Sequence, residues 1–175
     1  MQFFETPIQG AYRVELDRRG DDRGFFARAF CQQEFDVPGI RHEILQANFS
    51  RSLVQGTLRG MHYQRGEHAE TKVVRCTYGR IFDALVDLRP DSPSYKQWYG
   101  LELSRESGTA LVIPEGCAHG FLTLEPECDV MYLVTANYAP EHEAGVRWND
   151  PAFGIEWPIE PALISDRDQA HPDFK

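Results

Sequence analysis

Apolar and polar residues alternate with a period of two through the middle of the chain, a spacing that predicts strands. Residues 72–77 are strand-like, Tyr78-Gly79-Arg80 forms a turn, and 81–89 resumes as a strand. In that second strand Phe82, Ala84, Val86 and Leu88 point one way while Asp83 and Asp87 point the other. Arg89-Pro90-Asp91-Ser92-Pro93 breaks it, and further strands are predicted at 98–103, 110–113, 120–124 and 130–135. Short strands separated by Gly/Pro turns suit a sandwich or barrel, not βαβ units. Helix signals are confined to single turns at 32–35 and 140–144. After Pro151 the periodicity dissolves around Pro158, Pro161 and Pro172, so this tail must pack over the strands to be ordered.

The length of 175 residues suits one domain, residues 1–175, large enough to bury a core. Hydrophobic residues make up 42% and charged residues 26%, which places the chain among globular proteins. No apolar run approaches the roughly 20 residues of a spanning helix, so no membrane partner is expected. The start, Met1 to Pro7, lacks a basic flank and an apolar stretch, which points to the cytoplasm. A formal charge of −9 argues against general nucleic-acid binding, which needs many Lys and Arg against phosphates. It leaves room for one small anionic ligand, because a few arginines in a cleft override the global field. Cys31, Cys76, Cys117 and Cys128 show no Cys-x-x-Cys spacing and read as buried thiols.

In 57–64, strict alternation puts Leu58, Gly60, His62 and Gln64 on one face and Arg59, Met61 and Tyr63 on the other. A histidine and a glutamine facing inward together imply a polar interior; a hydrogen-bonded core histidine is the plain alternative. His119 opens the apolar run 120–124, where a backbone carbonyl could equally hold it. Tyr132 shares a face with Val130 and Val134, as a core aromatic also would. Lys72, Arg59 and Arg23 resemble ordinary surface residues when taken one at a time. Asp83, flanked by apolar residues in a strong strand, requires a partner if buried.

Gly56-Thr57-Leu58-Arg59-Gly60-Met61-His62-Tyr63-Gln64 resembles the first cupin motif, with Gln64 where the second histidine of His-x-His would stand. Pro114-Glu115-Gly116-Cys117-Ala118-His119 has the Pro-x-Gly-x-x-His spacing of the second motif. The expected fold is therefore all-β, a cupin-type jelly-roll sandwich or barrel with short helical turns and an irregular C-terminal segment. A metal cupin also needs a glutamate three or four residues after His-x-His, where this chain has His68 and Ala69. With two of four ligands missing, no metal and no other cofactor is expected.

Asp22-Arg23-Gly24-Phe25-Phe26, Gln46-Ala47-Asn48-Phe49-Ser50 and Leu58-Arg59-Gly60-Met61-His62-Tyr63-Gln64 together resemble the dTDP-4-dehydrorhamnose 3,5-epimerase family. So do Gly79-Arg80-Ile81-Phe82-Asp83, Val86-Asp87-Leu88-Arg89, the stretch 113–121 and Trp148-Asn149-Asp150-Pro151, in one order from about Phe3 to Pro172. The resemblance implies a metal-free homodimer acting on a nucleoside-diphosphate 4-keto-6-deoxy sugar, with an N-terminal strand lent to the partner's sheet. It implies His62 as base with Asp168 behind it, Tyr132 as acid, and Lys72 stabilising the enolate near Asp83 and His119. It further implies Arg23 and Arg59 on the diphosphate, Gln46 and Asn48 on the nucleotide, and Tyr138 stacked on the base. Glu143 and Arg167 fall at other ligand contacts.

That chemistry needs these residue types. A carbon acid beside a ketone ionises only if the oxygen's growing charge is met, and an ammonium in a water-poor site does this. Histidine titrates near neutrality, and a carboxylate on its second nitrogen fixes the tautomer. Two guanidinium forks suit a diphosphate. The chain departs from the family pattern at Arg28, where a glutamate is common, at Leu133, where a lysine is common, and at Arg167, which replaces a frequent lysine. Other readings are a C3-only epimerase, one using CDP- or GDP-linked sugars, a metal-dependent cupin enzyme, and a non-catalytic sugar-nucleotide binder.

Overall fold

A computed structural model describes residues 1–36, 40 and 43–174. Its strands begin with β1 (Gln2–Glu5), β2 (Tyr12–Glu15), β3 (Arg19–Asp21), β4 (Gly24–Phe26), β5 (Gln46–Ser52), β6 (Thr57–Gln64) and β7 (Lys72–Tyr78). They continue with β8 (Arg80–Asp87), β9 (Trp98–Ser104), β10 (Ala110–Ile113), β11 (Cys117–Thr123), β12 (Cys128–Val134), β13 (Glu143–Gly145) and β14 (Leu163–Ile164). Two one-turn helices are α1 (Gln32–Phe35) and α2 (Asp166–Gln169). One sheet runs β1-β2-β10-β7-β12-β5 and the other β13-β6-β11-β8-β9, while β3 and β4 form a separate hairpin. This is the cupin-type β-sandwich that the motifs imply. None of the described helices is long and apolar enough to cross a membrane.

The inward rows meet between the sheets. Val74 of β7, Leu111 and Ile113 of β10, Ile81 and Leu85 of β8 and Leu103 of β9 form the central cluster. Burying each of these aliphatic side chains contributes roughly 1.5–3 kcal/mol. A second cluster covers the outside of the first sheet, where Phe35 of α1 packs on Val14, Val73 and Val112.

The two rows of β8 part as the alternation predicts, and both are covered. Phe82, Ala84 and Val86 face outward, where Val146, Phe153, Ile155 and Trp157 pack on them. The irregular tail is ordered because it supplies this cover, with the Trp157 ring edge-on to Phe82 at 5.8 Å. Asp83 and Asp87 stand in the inter-sheet row with Ile81 and Leu85, and both are fully buried. Asp87 accepts from Arg89 Nε at 2.8 Å, Ser92 Oγ at 2.5 Å and Ser94 Oγ at 2.7 Å. Burial pushes its pKa up, but these donors outweigh it and bring the group down to about 2.

Two local readings are corrected. The turn expected over 140–144 is a 3₁₀ turn at Pro140–His142 that leads into β13, because Glu143–Gly145 pair with the edge of β6. The strict alternation over 57–64 also fails. His62 lies opposite His119 and Arg59 opposite Phe121, so three residues of β6 span two of β11. This bulge reverses the face of everything before it, and Arg59 turns to the side of His62. Gly60 and Gly120 meet back to back at the bulge. Gly60 has φ +127°, and a Cβ on it would lie 2.5 Å from the Gly120 Cα. Gly60→Ala is therefore expected to cost about 2–4 kcal/mol, combining overpacking with an unfavourable backbone region. A urea unfolding midpoint equal to wild type would rule this out.

Candidate active site

The inner row of β7 runs Cys76, Val74, Lys72, so the apolar core ends at an ammonium. From there a cavity of about 560 Å³ opens, lined by Arg59, His62, Lys72, His119, Tyr132 and Asp168 among others. A second hollow of about 420 Å³ shares His62, Lys72 and Tyr132 and adds Gln46, Asn48, Glu70, Tyr138 and Glu143. The two form one two-lobed site whose shared wall carries the titratable groups.

His62 Nε2 is 2.7 Å from Asp168 Oδ1, and Asp168 Oδ2 accepts the Gly60 N–H at 3.1 Å. The edge of β6 explains this arrangement. Antiparallel β13 pairs with His62–Gln64, and parallel β14 pairs with Thr57 and Leu58. Gly60 falls between them, and the Asp168 carboxylate fills the gap. Ser165 positions it by capping α2, its Oγ accepting the Asp168 N–H at 3.1 Å. Burial pushes the Asp168 pKa up, yet the bonds from His62 and Gly60 prevail and hold it below its ordinary value.

A second imidazole–carboxylate pair lies alongside. His119 Nε2 is 2.7 Å from Asp83 Oδ1, and Asp83 Oδ2 has no hydrogen-bond partner. Because His119 is register-paired with His62, both rings project to the same side. Lys72 Nζ reaches Glu70 Oε1 at 3.1 Å and the His62 carbonyl at 3.3 Å. Burial, reinforced by the charge of Glu70, pushes the Tyr132 phenol above its ordinary pKa and keeps it protonated at neutral pH. At the mouth Glu143 takes the Tyr138 hydroxyl at 2.7 Å and Arg167 at 2.7 Å, and the Tyr138 N–H donates to Gln46 at 2.8 Å. Arg59 is tethered to Ser52 Oγ at 3.1 Å.

The chain's relatives carry the same architecture. The family model described as dTDP-4-dehydrorhamnose 3,5-epimerase matches residues 5–175. The chain belongs to that family. The dTDP-4-dehydrorhamnose 3,5-epimerase of Salmonella typhimurium is 46% identical, covering 98% of this chain and 94% of its own. The Bacillus anthracis enzyme of the same name, solved with TDP and PPi bound, superposes with TM-score 0.94 at 40% identity, covering 99% of both chains. A Legionella pneumophila dTDP-6-deoxy-D-glucose-3,5-epimerase in complex with dTDP-4-keto-L-rhamnose gives 0.91 at 38% identity, covering 97% of this chain and 90% of its own.

Twelve of the fourteen residues singled out in the epimerase sequence converge on this region, Asp83 through its bond to His119. The other two, Arg23 and Arg28, do not line either hollow within one chain. Arg23 extends from the β3–β4 turn to Asp21, and Arg28 pairs with Glu34 at 2.8 Å. Gln64, standing where a metal cupin has histidine, is a brace. Its amide donates to the His68 carbonyl at 3.0 Å and accepts the Ala139 N–H at 2.7 Å. Sequence reasoning missed Glu70 and Phe121, although each shares an i, i+2 row with a residue it named, Lys72 and His119 respectively. It also missed Ser165, whose signal was its cap position three residues before Asp168.

The lowered Asp168 pKa means its contribution to stability is complete above the ordinary value of 3.8 and fades as pH falls through the folded value. Asp168→Asn is expected to be less stable than wild type at pH 7 and to lose less on acidification. Parallel midpoint-versus-pH curves for the two proteins would contradict this.

Proposed function

We propose that this epimerase inverts C3 and C5 of dTDP-4-dehydro-6-deoxy-D-glucose by enolisation, giving dTDP-4-dehydro-L-rhamnose. The observation that carries the reading is His62, backed by Asp168, in one cavity with Tyr132 and Lys72. Both C–H bonds flank the same C4 carbonyl, so one oxyanion stabiliser serves both inversions. His62 Nε2 is engaged by Asp168, which leaves Nδ1 to take the carbon proton. The electron pair moves onto the C4 oxygen, where the Lys72 ammonium meets it, with His119 and Asp83 alongside. The Tyr132 hydroxyl then returns a proton to the opposite face of the carbon. No atom changes oxidation state overall, so this route requires no redox cofactor.

Arg59 and Arg167 suit the diphosphate, while Gln46, Asn48, Tyr138 and Glu143 suit the nucleoside. We assign Arg23 and Arg28 to the site of a second copy, in a cytoplasmic homodimer. Two features support the second copy. The β3–β4 hairpin exposes Phe25 at 55% and Phe26 at 72%. β5 is an edge strand among the described residues, with Phe49 64% exposed. Such edges and patches are usually covered. Arg28, positive where the family commonly has glutamate, would then meet the partner's ligand.

In heavy water, proton NMR is expected to show deuterium entering both C3 and C5 of the dTDP-linked ketosugar. Label at C3 alone would select the single-centre reading, and no label with dTDP-, CDP- or GDP-ketosugars would end the assignment. His62→Ala is expected to slow exchange at both carbons by about 10²–10⁴-fold. Tyr132→Phe should permit proton loss but impair inversion. Sedimentation is expected to give a dimer; a monomer with full turnover would overturn the shared site.

A further inference from the structure

His171 has no part in the machinery above, yet its imidazole stands beside the His62–Asp168 pair. The His62 and His171 ring centroids are 6.1 Å apart, with the planes at 70°. One ligand atom each from His62, Asp168 and His171 lie within 4.8 Å of one another. His171 Nε2 is closed off from solvent and has no hydrogen-bond partner, an uncommon state for a buried polar atom. The fold makes room for this ring at Gly145, directly across from His62 on β13. A Cβ at 145 would collide with the His171 imidazole, so the absent side chain is what seats it.

We infer that His62, Asp168 and His171 form a site for a divalent transition metal of the zinc class, and that filling it withdraws His62 from proton transfer. Two imidazoles and one carboxylate are ordinary zinc donors, and three protein ligands leave a fourth position for water. Bonds of about 2.0–2.1 Å place the donors of a tetrahedral zinc roughly 3.3 Å apart. The His62–Asp168 separation of 2.7 Å would open slightly, and His171 would close in. His171 lies just beyond α2, outside the strands of either sheet. Arg167, whose charge acts on His171, is held on Glu143 at 2.7 Å. The parallel His119–Asp83 pair belongs to no such cluster among the described residues.

The inhibitory part rests on His62 being the base; the binding part does not. Chelator-treated enzyme would be titrated with Co²⁺, read by its visible ligand-field absorption, and then with Zn²⁺ in competition. Wild type is expected to bind one equivalent and to lose deuterium exchange in proportion. His171→Ala, and His171→Gln if the alanine variant misfolds, should weaken binding at least about tenfold and keep metal-free turnover. No binding by wild type, or equal affinity in both proteins, would overturn the site. Binding that depends on His171 but leaves exchange intact would uphold the site and remove His62 from the base role.

Discussion

Asp168 is a carboxylate taken out of water at the gap between β13 and β14 along one edge of β6, and it is met there by the His62 ring and the Gly60 N–H. A buried carboxylate without such donors is strongly disfavoured, and removing one partner from a buried charged pair costs about 3–5 kcal/mol. The pairing therefore does more than orient an imidazole. It fixes α2 against the sandwich, and α2 in turn holds Arg167 over the cavity. The tail is long and irregular, and this carboxylate adds to its apolar cover of β8 and to the β14 pairing in fixing its register.

Three of the buried carboxylates differ in what they bind. Asp87 is surrounded by Arg89, Ser92 and Ser94 and braces a turn. Asp83 and Asp168 instead each engage one nitrogen of an imidazole, leaving its other nitrogen available to the cavity. A carboxylate spent on a turn acts only locally, whereas one bound to a histidine transmits its influence to whatever the histidine touches. The same contrast separates Gln64, whose amide is spent on bracing backbone, from the glutamates that reach Lys72 and Arg167.

Much of the site was legible because it lies in local motifs. His62, His119, Lys72 and Tyr132 occupy strand positions, and a period of two assigns the faces of His62 and Tyr132 correctly, whereas Lys72, which taken alone resembles a surface residue, is buried. Arg59 was assigned to the wrong face, since a bulge between two glycines inserts one residue and reverses the parity. The apolar row of β8 was recognised, but the surface it packs against is a proline-rich tail with no periodicity of its own. Glu70 was overlooked for a different reason: its value lies in neutralising Lys72, which single-residue reading cannot see.

The sequence by itself determined the strand-rich sandwich, the absence of the usual cupin ligand set and the chemical types gathered for enolisation. These follow from spacing along the chain, which side-chain alternation converts directly into faces. Only the tertiary structure decided that Asp168 reaches His62 across 106 residues, that His171 joins them, and that Arg23 and Arg28 stay outside their own chain's cavity. Such meetings depend on where loops close and which edges remain unpaired, and chain spacing carries no record of either.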